Sequence, residues 1–343
     1  MTVETFLERV AVRSPKSAAT YKHALKMVLN HTGKSPDQIL SEVKENGDAA
    51  YEVLERIVTE TSKAGLAPKS TRLLIAATKR LLEDELDFEW SPTKLRKIKR
   101  ILPKDKPRSV DRVPTSEKIY RLVQRASMRT RTALLLQLTS GLRTNECAQL
   151  RIEYFDFNSS PIKLRLPGEI TKSKEARITF ITEECGRALK EFLGERTTGF
   201  VFPKKNGKGH ADSKQLAEQV TSLLKRTDLR VKMSPESPCY ALHPHTFRKF
   251  FHTKLESVGV PKSAVDQMVG HAPDMDGQSY IRYTEEQLAQ FYASHEDALT
   301  FLSANNRGLK EKVRDQTQEI KDLQERLSRL EAVSSEKLKI KER

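Results

Sequence analysis

The sequence predicts a mainly α-helical protein: a small four-helix domain over residues 1–92, a basic linker over 93–112, a larger α-rich domain over 113–300 with one short β-hairpin, and a helical coiled-coil tail over 301–343. Three observations carry this expectation. The 343 residues are more than twice the roughly 150 of a typical domain. Helix start and stop signals recur through the first ninety or so residues, and a period of two surfaces only between Pro161 and Thr182.

In chain order, Ser14 and Pro15 form an N-cap and first-turn pair, Tyr21, Leu25 and Val28 recur at helical spacing, and Gly33 stops the run. Ser35, Pro36 and Gln38 repeat the start signal with capping-box spacing. A third helix is predicted from Asp48 to Lys63 ahead of Gly65, and a fourth from Pro68 through Leu73, Ala77, Leu81 and Leu82. These faces carry Lys16, Lys22, Lys26, Lys69, Arg72, Lys79 and Arg80, either a solvated surface or a nucleic-acid footprint. Between Thr93 and Arg112 stand nine basic residues, among them Lys94, Arg96, Lys97, Lys99, Arg100 and Arg108, against Asp105 and Asp111. With Pro103 and Pro107 opposing a continuous helix, the stretch reads as a cationic tether able to lie along phosphates.

Beyond it, helices are expected over Thr115 to Ala126 and Arg131 to Thr139, the second buried because Leu134, Leu135, Leu136 and Leu138 leave little polar face. Ile162, Leu164 and Leu166 on one arm and Ile178 and Phe180 on the other predict a hairpin whose loop holds Gly168 and Lys172. In the tail, Leu302, Leu309, Val313, Ile320, Leu323, Leu327 and Leu330 fall on heptad steps, with Asn306 and Gln316 as polar interruptions.

Composition narrows the function. The net charge of +15, from 61 Lys plus Arg against 46 Asp plus Glu, points to an anionic partner. No apolar run reaches the roughly 18 residues of a membrane span, and Glu4 and Glu8 stand where a secretory leader would be basic and then apolar. Cys147, Cys185 and Cys239 form no C-x-x-C pair, so the expectation is a reducing, cytoplasmic setting without a disulfide framework. His243, His245 and Cys239 offer a zinc alternative, but a structural site needs four ligands at characteristic spacing, so no metal is expected.

Chemistry-bearing residues gather at four places. In Gly141-Leu142-Arg143-Thr144-Asn145-Glu146 the glycine permits a sharp turn and Thr144 can cap a new helix, which pins Arg143 at the junction, where a guanidinium can hold a phosphate by two hydrogen bonds. In His245-Thr246-Phe247-Arg248 the three-residue offset puts imidazole and guanidinium on one helix face. Gly270-His271 follows an amphipathic helix marked by Val265, Met268 and Val269, and Tyr280 stands nine residues beyond His271, with Tyr283 close behind.

In this order and spacing these pieces, with a hairpin lysine, resemble the catalytic signature of the tyrosine recombinases, the phage-integrase family of site-specific DNA recombinases. The resemblance is close over the second half of the chain. It covers the first half only as a SAM-like, core-binding helical domain. The ending Tyr280-Ile281-Arg282-Tyr283-Thr284-Glu285-Glu286 looks most like integrases of archaeal viruses and mobile elements. The resemblance implies that Arg143 and Arg248 clamp the non-bridging oxygens of the scissile phosphate and that Tyr280 attacks phosphorus to form a 3′-phosphotyrosyl link. It further implies that His245 takes the tyrosine proton, Lys172 protonates the leaving 5′-oxygen, His271 hydrogen-bonds the phosphate and Glu146 orients its neighbours. Lys174 competes with Lys172, which lies five residues before Arg177 as in the family, and Tyr283 competes with Tyr280. Lys249 stands where the family often has histidine.

The expected partners are double-stranded DNA gripped as by a clamp, sister subunits forming a tetramer on two DNA sites, and an accessory DNA-bending protein. No cofactor and no membrane are expected, and the setting is the nucleoid. The rival readings are a type IB topoisomerase and a catalytically silent sequence-specific DNA-binding protein.

Overall fold

The computed structural model describes residues 2–104, 113–204, 206–233, 240–271 and 282–301. The chain divides into two compact units, the first ending at Arg108 and the second starting at Ser109.

The first unit holds six helices among its described residues: α1 (Val3–Arg13), α2 (Pro15–Thr32), α3 (Pro36–Glu45), α4 (Ala49–Lys63), α5 (Pro68–Leu86) and α6 (Pro92–Ile101). Four follow the punctuation read from the sequence. Ser14 caps α2 by accepting from the Ser17 amide, Gly33 closes it in the left-handed region, and Ser35 and Gln38 exchange both capping-box bonds at α3. Phe6, Leu25, Val28, Ile39, Leu54, Ile57, Leu81 and Leu82 make up much of the core.

The two extra helices sit where sequence reasoning expected none. The stretch expected as a tether from residue 93 instead begins as helix α6, with Ser91 accepting from the Lys94 amide and Pro92 in its first turn. Ile98 is buried in the first unit's core, and Lys94, Arg96, Lys97, Lys99 and Arg100 are exposed. High charge density had masked an amphipathic helix whose anchor is one isoleucine backed by Leu95 and Leu102. Arg108 lies outside the described residues.

The second unit contains α7 (Ser116–Arg125), α8 (Met128–Ser140), α9 (Thr144–Ala148), the three-stranded antiparallel sheet β1 (Phe155–Asp156), β2 (Ile162–Leu166) and β3 (Arg177–Ile181), then α10 (Glu183–Leu193), α11 (Ser213–Arg226), α12 (Pro244–Ser257), α13 (Lys262–Val269) and α14 (Glu285–His295). The hairpin pairs Ile162 with Ile181 and Leu166 with Arg177, and the two-residue strand β1 adds an edge. Helix α8 starts three residues before its expected Arg131, because Ser127 accepts from the Thr130 amide. Leu134, Leu135, Leu136 and Leu138 are all buried, as the absence of a polar face requires, and α8 is the post around which α10, α11, α12 and β3 pack. Tyr292 of α14 donates to the Thr139 carbonyl at 2.7 Å, fixing α14 to the end of that post. Cys147 and Cys185 are buried free thiols; Cys239 and the heptad residues from Leu302 onward lie outside the described residues. Among the described residues no helix is long and apolar enough to cross a membrane.

Candidate active site

The site grows from the C-terminal end of α8. Gly141 closes that helix at φ +65°, and a Cβ there would stand 2.7 Å from both Phe251 Cδ1 of α12 and Val269 Cγ1 of α13. The glycine is therefore needed twice, for the left-handed turn and for the approach of two helices to the turn. The chain then enters α9 with Arg143, and not the expected Thr144, in the N-cap position. Thr144 is already helical, and its hydroxyl donates to Gln137 Oε1 at 3.1 Å.

Glu146, 1 % exposed, is the hub. Its Oε2 accepts the Arg143 amide at 2.8 Å and its Oε1 the Arg143 guanidinium at 2.9 Å. From β3, Arg177 reaches the same carboxylate in a two-pronged fork at 3.0 and 2.6 Å. Arg177 also donates through Nε to the Met268 carbonyl at 3.1 Å, and a Cβ on Gly270 would lie 2.8 Å from its Cδ. The second glycine of the signature thus makes room for an arginine stem. Burial opposes ionisation of Glu146, but the bonds from Arg177 and Arg143 prevail and hold its carboxyl below the usual carboxylate value.

Arg248 rises from α12 and is only 4 % exposed. Two of its guanidinium nitrogens donate to the carbonyls of Gly141 and Val269, each at 2.6 Å, so the turns before Arg143 and before His271 are tied to one side chain. Burial first, then the fields of Arg143 and Arg177, push its pKa down to about 9. It remains a cation at neutral pH, and with five N–H groups it keeps donors for an anion. Three guanidiniums drawn together around a buried carboxylate leave an excess of positive charge that an anion would relieve.

His245 sits one turn before Arg248 on α12, exposed, with its ring parallel to that of His243 at 6.4 Å between centroids. Partial burial, then Arg248, Lys249, His243 and Arg143, lower its pKa below the ordinary 6.5, so the ring is neutral at pH 7. His271 follows Gly270, which ends α13 in the left-handed region, and its Nδ1 lies 2.9 Å from Asp266 Oδ1. Burial and the field of Arg248 outweigh that carboxylate and lower the His271 pKa as well.

The hairpin loop distinguishes its two lysines. Lys174 has φ +63°, its ammonium turns back to the Glu169 carbonyl at 3.4 Å, and a Cβ on Gly168 would strike the Lys174 carbonyl oxygen at 2.5 Å. Both lysines are exposed, and Lys174 is the one whose backbone and ammonium close the loop. No hydrogen bond or ion pair joins Lys172 to the arginine cluster among the described residues.

Tyr280 lies outside the described residues, and Tyr283 is locked in place. Its amide and carbonyl pair with the two ends of the Gln267 side chain at 3.0 and 2.9 Å, and its hydroxyl lies 3.2 Å from Ser263 Oγ. Glu285, at the start of α14, receives Arg165 at 2.7 and 3.0 Å and Lys163 at 3.0 Å. Those bonds, Arg165 first, hold its pKa down at about 2.

Sequence reasoning missed Arg177 as a member of the cluster, and it missed His252 and Asp266. His252 stands four residues after Arg248 and seven after His245, a helical spacing that marks the shared face. His252, Asp266 and His271 bring three potential metal-ligand atoms within 4.8 Å of one another, although both ring nitrogens are here engaged with one carboxylate oxygen.

Comparison with known proteins gives the arrangement its kin. The chain is 27 % identical over 238 residues to the tyrosine recombinase XerA of Pyrococcus horikoshii, covering 68 % of this chain and 76 % of that protein. It is 24 % identical over 300 residues to the tyrosine recombinase XerC of Chromobacterium violaceum, covering 84 % and 92 %. The fold resembles that of the Tn1549 transposon integrase in complex with transposon right end DNA, with a TM-score of 0.56 at 18 % identity over 84 % of this chain and 97 % of that one. Residues 113–287, just over half of the chain, match the phage integrase family. The chain belongs to the phage integrase family and is a tyrosine site-specific recombinase.

Proposed function

We propose that this recombinase cleaves and rejoins duplex DNA through a 3′-phosphotyrosyl intermediate on Tyr280 and so inserts or excises a mobile element or viral genome. The observation that carries the reading is the gathering of Arg143, Arg177 and Arg248 about the buried Glu146, a group whose positive excess is preorganised for a phosphodiester. In the five-coordinate transition state the non-bridging oxygens gain charge, and donors already fixed by packing stabilise that charge without reorganising. Arg248 and Arg143 supply these donors, while Glu146 and Arg177 keep Arg143 oriented.

A free phenol has a pKa near 10, so Tyr280 must lose its proton as it attacks phosphorus, and neutral His245 accepts it. The bond from phosphorus to the 5′-oxygen breaks, and Lys172 on its exposed loop gives that oxygen a proton. His271, once the anionic phosphate draws a proton onto Nε2, contributes a hydrogen bond to it. One phosphoester is exchanged for another, so the 5′-hydroxyl of a second strand can reverse the step. The engagement of Tyr283 by Gln267 and Ser263 favours Tyr280 as the nucleophile.

The exposed basic face of α6 and the faces of the first unit's other helices are assigned to the DNA backbone. Self-association into a tetramer on two DNA sites, with the tail linking subunits, completes the proposal; an accessory bending protein and a nucleoid location follow from the same reading.

The test is a nicked suicide duplex. The wild-type protein should form a denaturation-resistant DNA adduct, in chelator as well as in magnesium, and Tyr280→Phe should form none while still shifting the duplex. Retention of the adduct by Tyr280→Phe, with its loss in Tyr283→Phe, would refute the assignment. A type IB topoisomerase would give the adduct without synapsing two sites.

A further inference from the structure

Asp266 has no part in the chemistry so far, yet three features of the site converge on it. Its Oδ1 lies 2.9 Å from Nδ1 of His271 and 2.9 Å from Nε2 of His252, so one carboxylate oxygen joins a ring from α12 to the ring that follows α13. Its backbone carbonyl accepts the His271 amide at 3.0 Å, so the residue holds His271 by main chain and side chain together. The far nitrogen of His252, Nδ1, lies 3.4 Å from Glu256 Oε2 one turn along α12, which completes a row of Glu256, His252, Asp266 and His271. The two rings stand 5.6 Å apart, inclined by 33°. Burial raises the Asp266 carboxyl, but the bonds from His252 and His271 outweigh it and keep the group ionised.

An ionised carboxylate only accepts, so both nitrogens facing it must carry hydrogen. His252 is thereby held with hydrogen on Nε2 and His271 with hydrogen on Nδ1. In the neutral His271 ring the remaining nitrogen, Nε2, then carries the lone pair, and it becomes a donor to an anion when the ring takes up a proton. Without Asp266 the ring would distribute between two tautomers and rotate about χ2, because its exposed edge offers no other fixed partner among the described residues.

We propose that Asp266, steadied by His252, is a positioning residue that fixes the tautomer and orientation of His271 for its encounter with the scissile phosphate. The proposal rests on the reading of His271 as a phosphate-contacting group. Asp266→Asn is the sharpest variant, since the isosteric amide keeps the volume and can present N–H where the carboxylate accepted. A neutral amide oxygen accepts more weakly than a carboxylate, so the two rings that now share Oδ1 are held less firmly and His271 is freer to turn or to change tautomer.

A misplaced histidine tautomer behind an acid–base site can cost up to about 10⁴-fold in rate, and for this partly exposed ring a loss of about ten- to a hundredfold is expected. The experiment measures single-turnover cleavage of the suicide duplex at saturating protein, DNA affinity by anisotropy, and thermal unfolding, for full-length wild type, Asp266→Asn, Asp266→Glu, His252→Phe and His271→Gln. The expected result is a slower cleavage step in Asp266→Asn with DNA affinity and melting temperature within about twofold and a few degrees of wild type, partial recovery in Asp266→Glu, and an intermediate loss in His252→Phe. Nitrogen-15 shifts of the His271 ring should report hydrogen on Nδ1 in wild type and a mixture in Asp266→Asn. If His271→Gln slows cleavage and Asp266→Asn does not, the positioning role is overturned and the reading of His271 stands. If His271→Gln cleaves at the wild-type rate, the reading of His271 itself falls. A ring shift unchanged by Asp266→Asn overturns the tautomer assignment whatever the rates.

Discussion

The two units hold positive charge in opposite ways. On α6 of the first unit, Arg96, Lys97, Lys99 and Arg100 project into solvent from a helix anchored by Ile98, while Lys94 pairs with Asp48. In the second unit, Arg248 and the side chain of Arg177 are withdrawn from solvent and spend their donors on Glu146 and on the carbonyls of Gly141, Met268 and Val269. Exposed cations are mobile, screened by salt and interchangeable, which suits contact with a phosphate backbone at many positions. Buried cations are costly to place, but once placed they are rigid and unscreened, which suits stabilising charge at one atom. In the proposed function the same residue types serve adhesion in one place and chemistry in the other, and the difference lies in what their N–H groups are already bonded to.

That contrast is broken most severely at Glu146. Glu146→Gln leaves Arg177 buried without its counter-charge, and loss of one partner from a buried pair costs about 3–5 kcal/mol. A fall of that size in urea-derived stability is expected, together with loss of cleavage; a protein of wild-type stability would show that the arginines are not held by this carboxylate. Next in size is Arg248→Lys, which keeps a charge and loses the fork to two carbonyls. Cleavage should slow by roughly 100- to 1,000-fold, the usual consequence of losing one charge-stabilising donor, with DNA affinity nearly unchanged. Equal losses in rate and affinity would make Arg248 a binding residue.

On the exposed side, replacing Lys97, Lys99 and Arg100 together with Ala should weaken binding to every duplex alike and flatten the slope of log affinity against log salt by about 0.9 for each phosphate that is no longer neutralised. A slope that did not move would remove α6 from the DNA interface. The pH profile separates the regions again. With His245 as the proposed base acting when neutral, and its pKa lowered, activity at subsaturating DNA should persist below pH 6.5 and fall only as acid protonates the ring, whereas backbone binding should not follow that limb. The smallest effect belongs to Glu285→Gln. Its bonds to Arg165 and Lys163 are partly exposed, so about 1 kcal/mol or less of stability should be lost. The depressed pKa of Glu285 means that the contribution is complete above the ordinary carboxylate value of 4.5 and disappears as the pH falls toward about 2.

The legible parts of this protein are those whose cause is local. Ser14-Pro15, the Ser35–Gln38 box and Gly33 set helix ends through bonds within a few residues, and the alternation of Ile162, Leu164, Leu166, Ile178 and Phe180 predicts the hairpin because strand faces repeat every two residues. Gly141-Leu142-Arg143 and His245 to Arg248 were visible for the same reason, since each motif is a turn or a helix face. Lys94 to Arg100 misled because charge was read along the chain, while a single buried Ile98 decided that the segment folds as a helix.

What only the tertiary structure decided is which charged groups meet. Arg177 lies 31 residues from Glu146 in sequence, and His252 lies 14 from Asp266, yet each pair is in hydrogen-bond contact. No spacing rule joins residues on different elements. These pairs arise because β3, α12 and α13 pack against the end of α8, where Gly141 and Gly270 let backbone and arginine stems approach closely. The amino-acid sequence by itself determined the helices with local start and stop signals, the hairpin and the residue types brought to the site. The packing around α8 determined that Glu146 and Asp266 would be the carboxylates that orient them, because the cost of burying an arginine or fixing a histidine ring is offset only by partners that the folded core brings within about 3 Å.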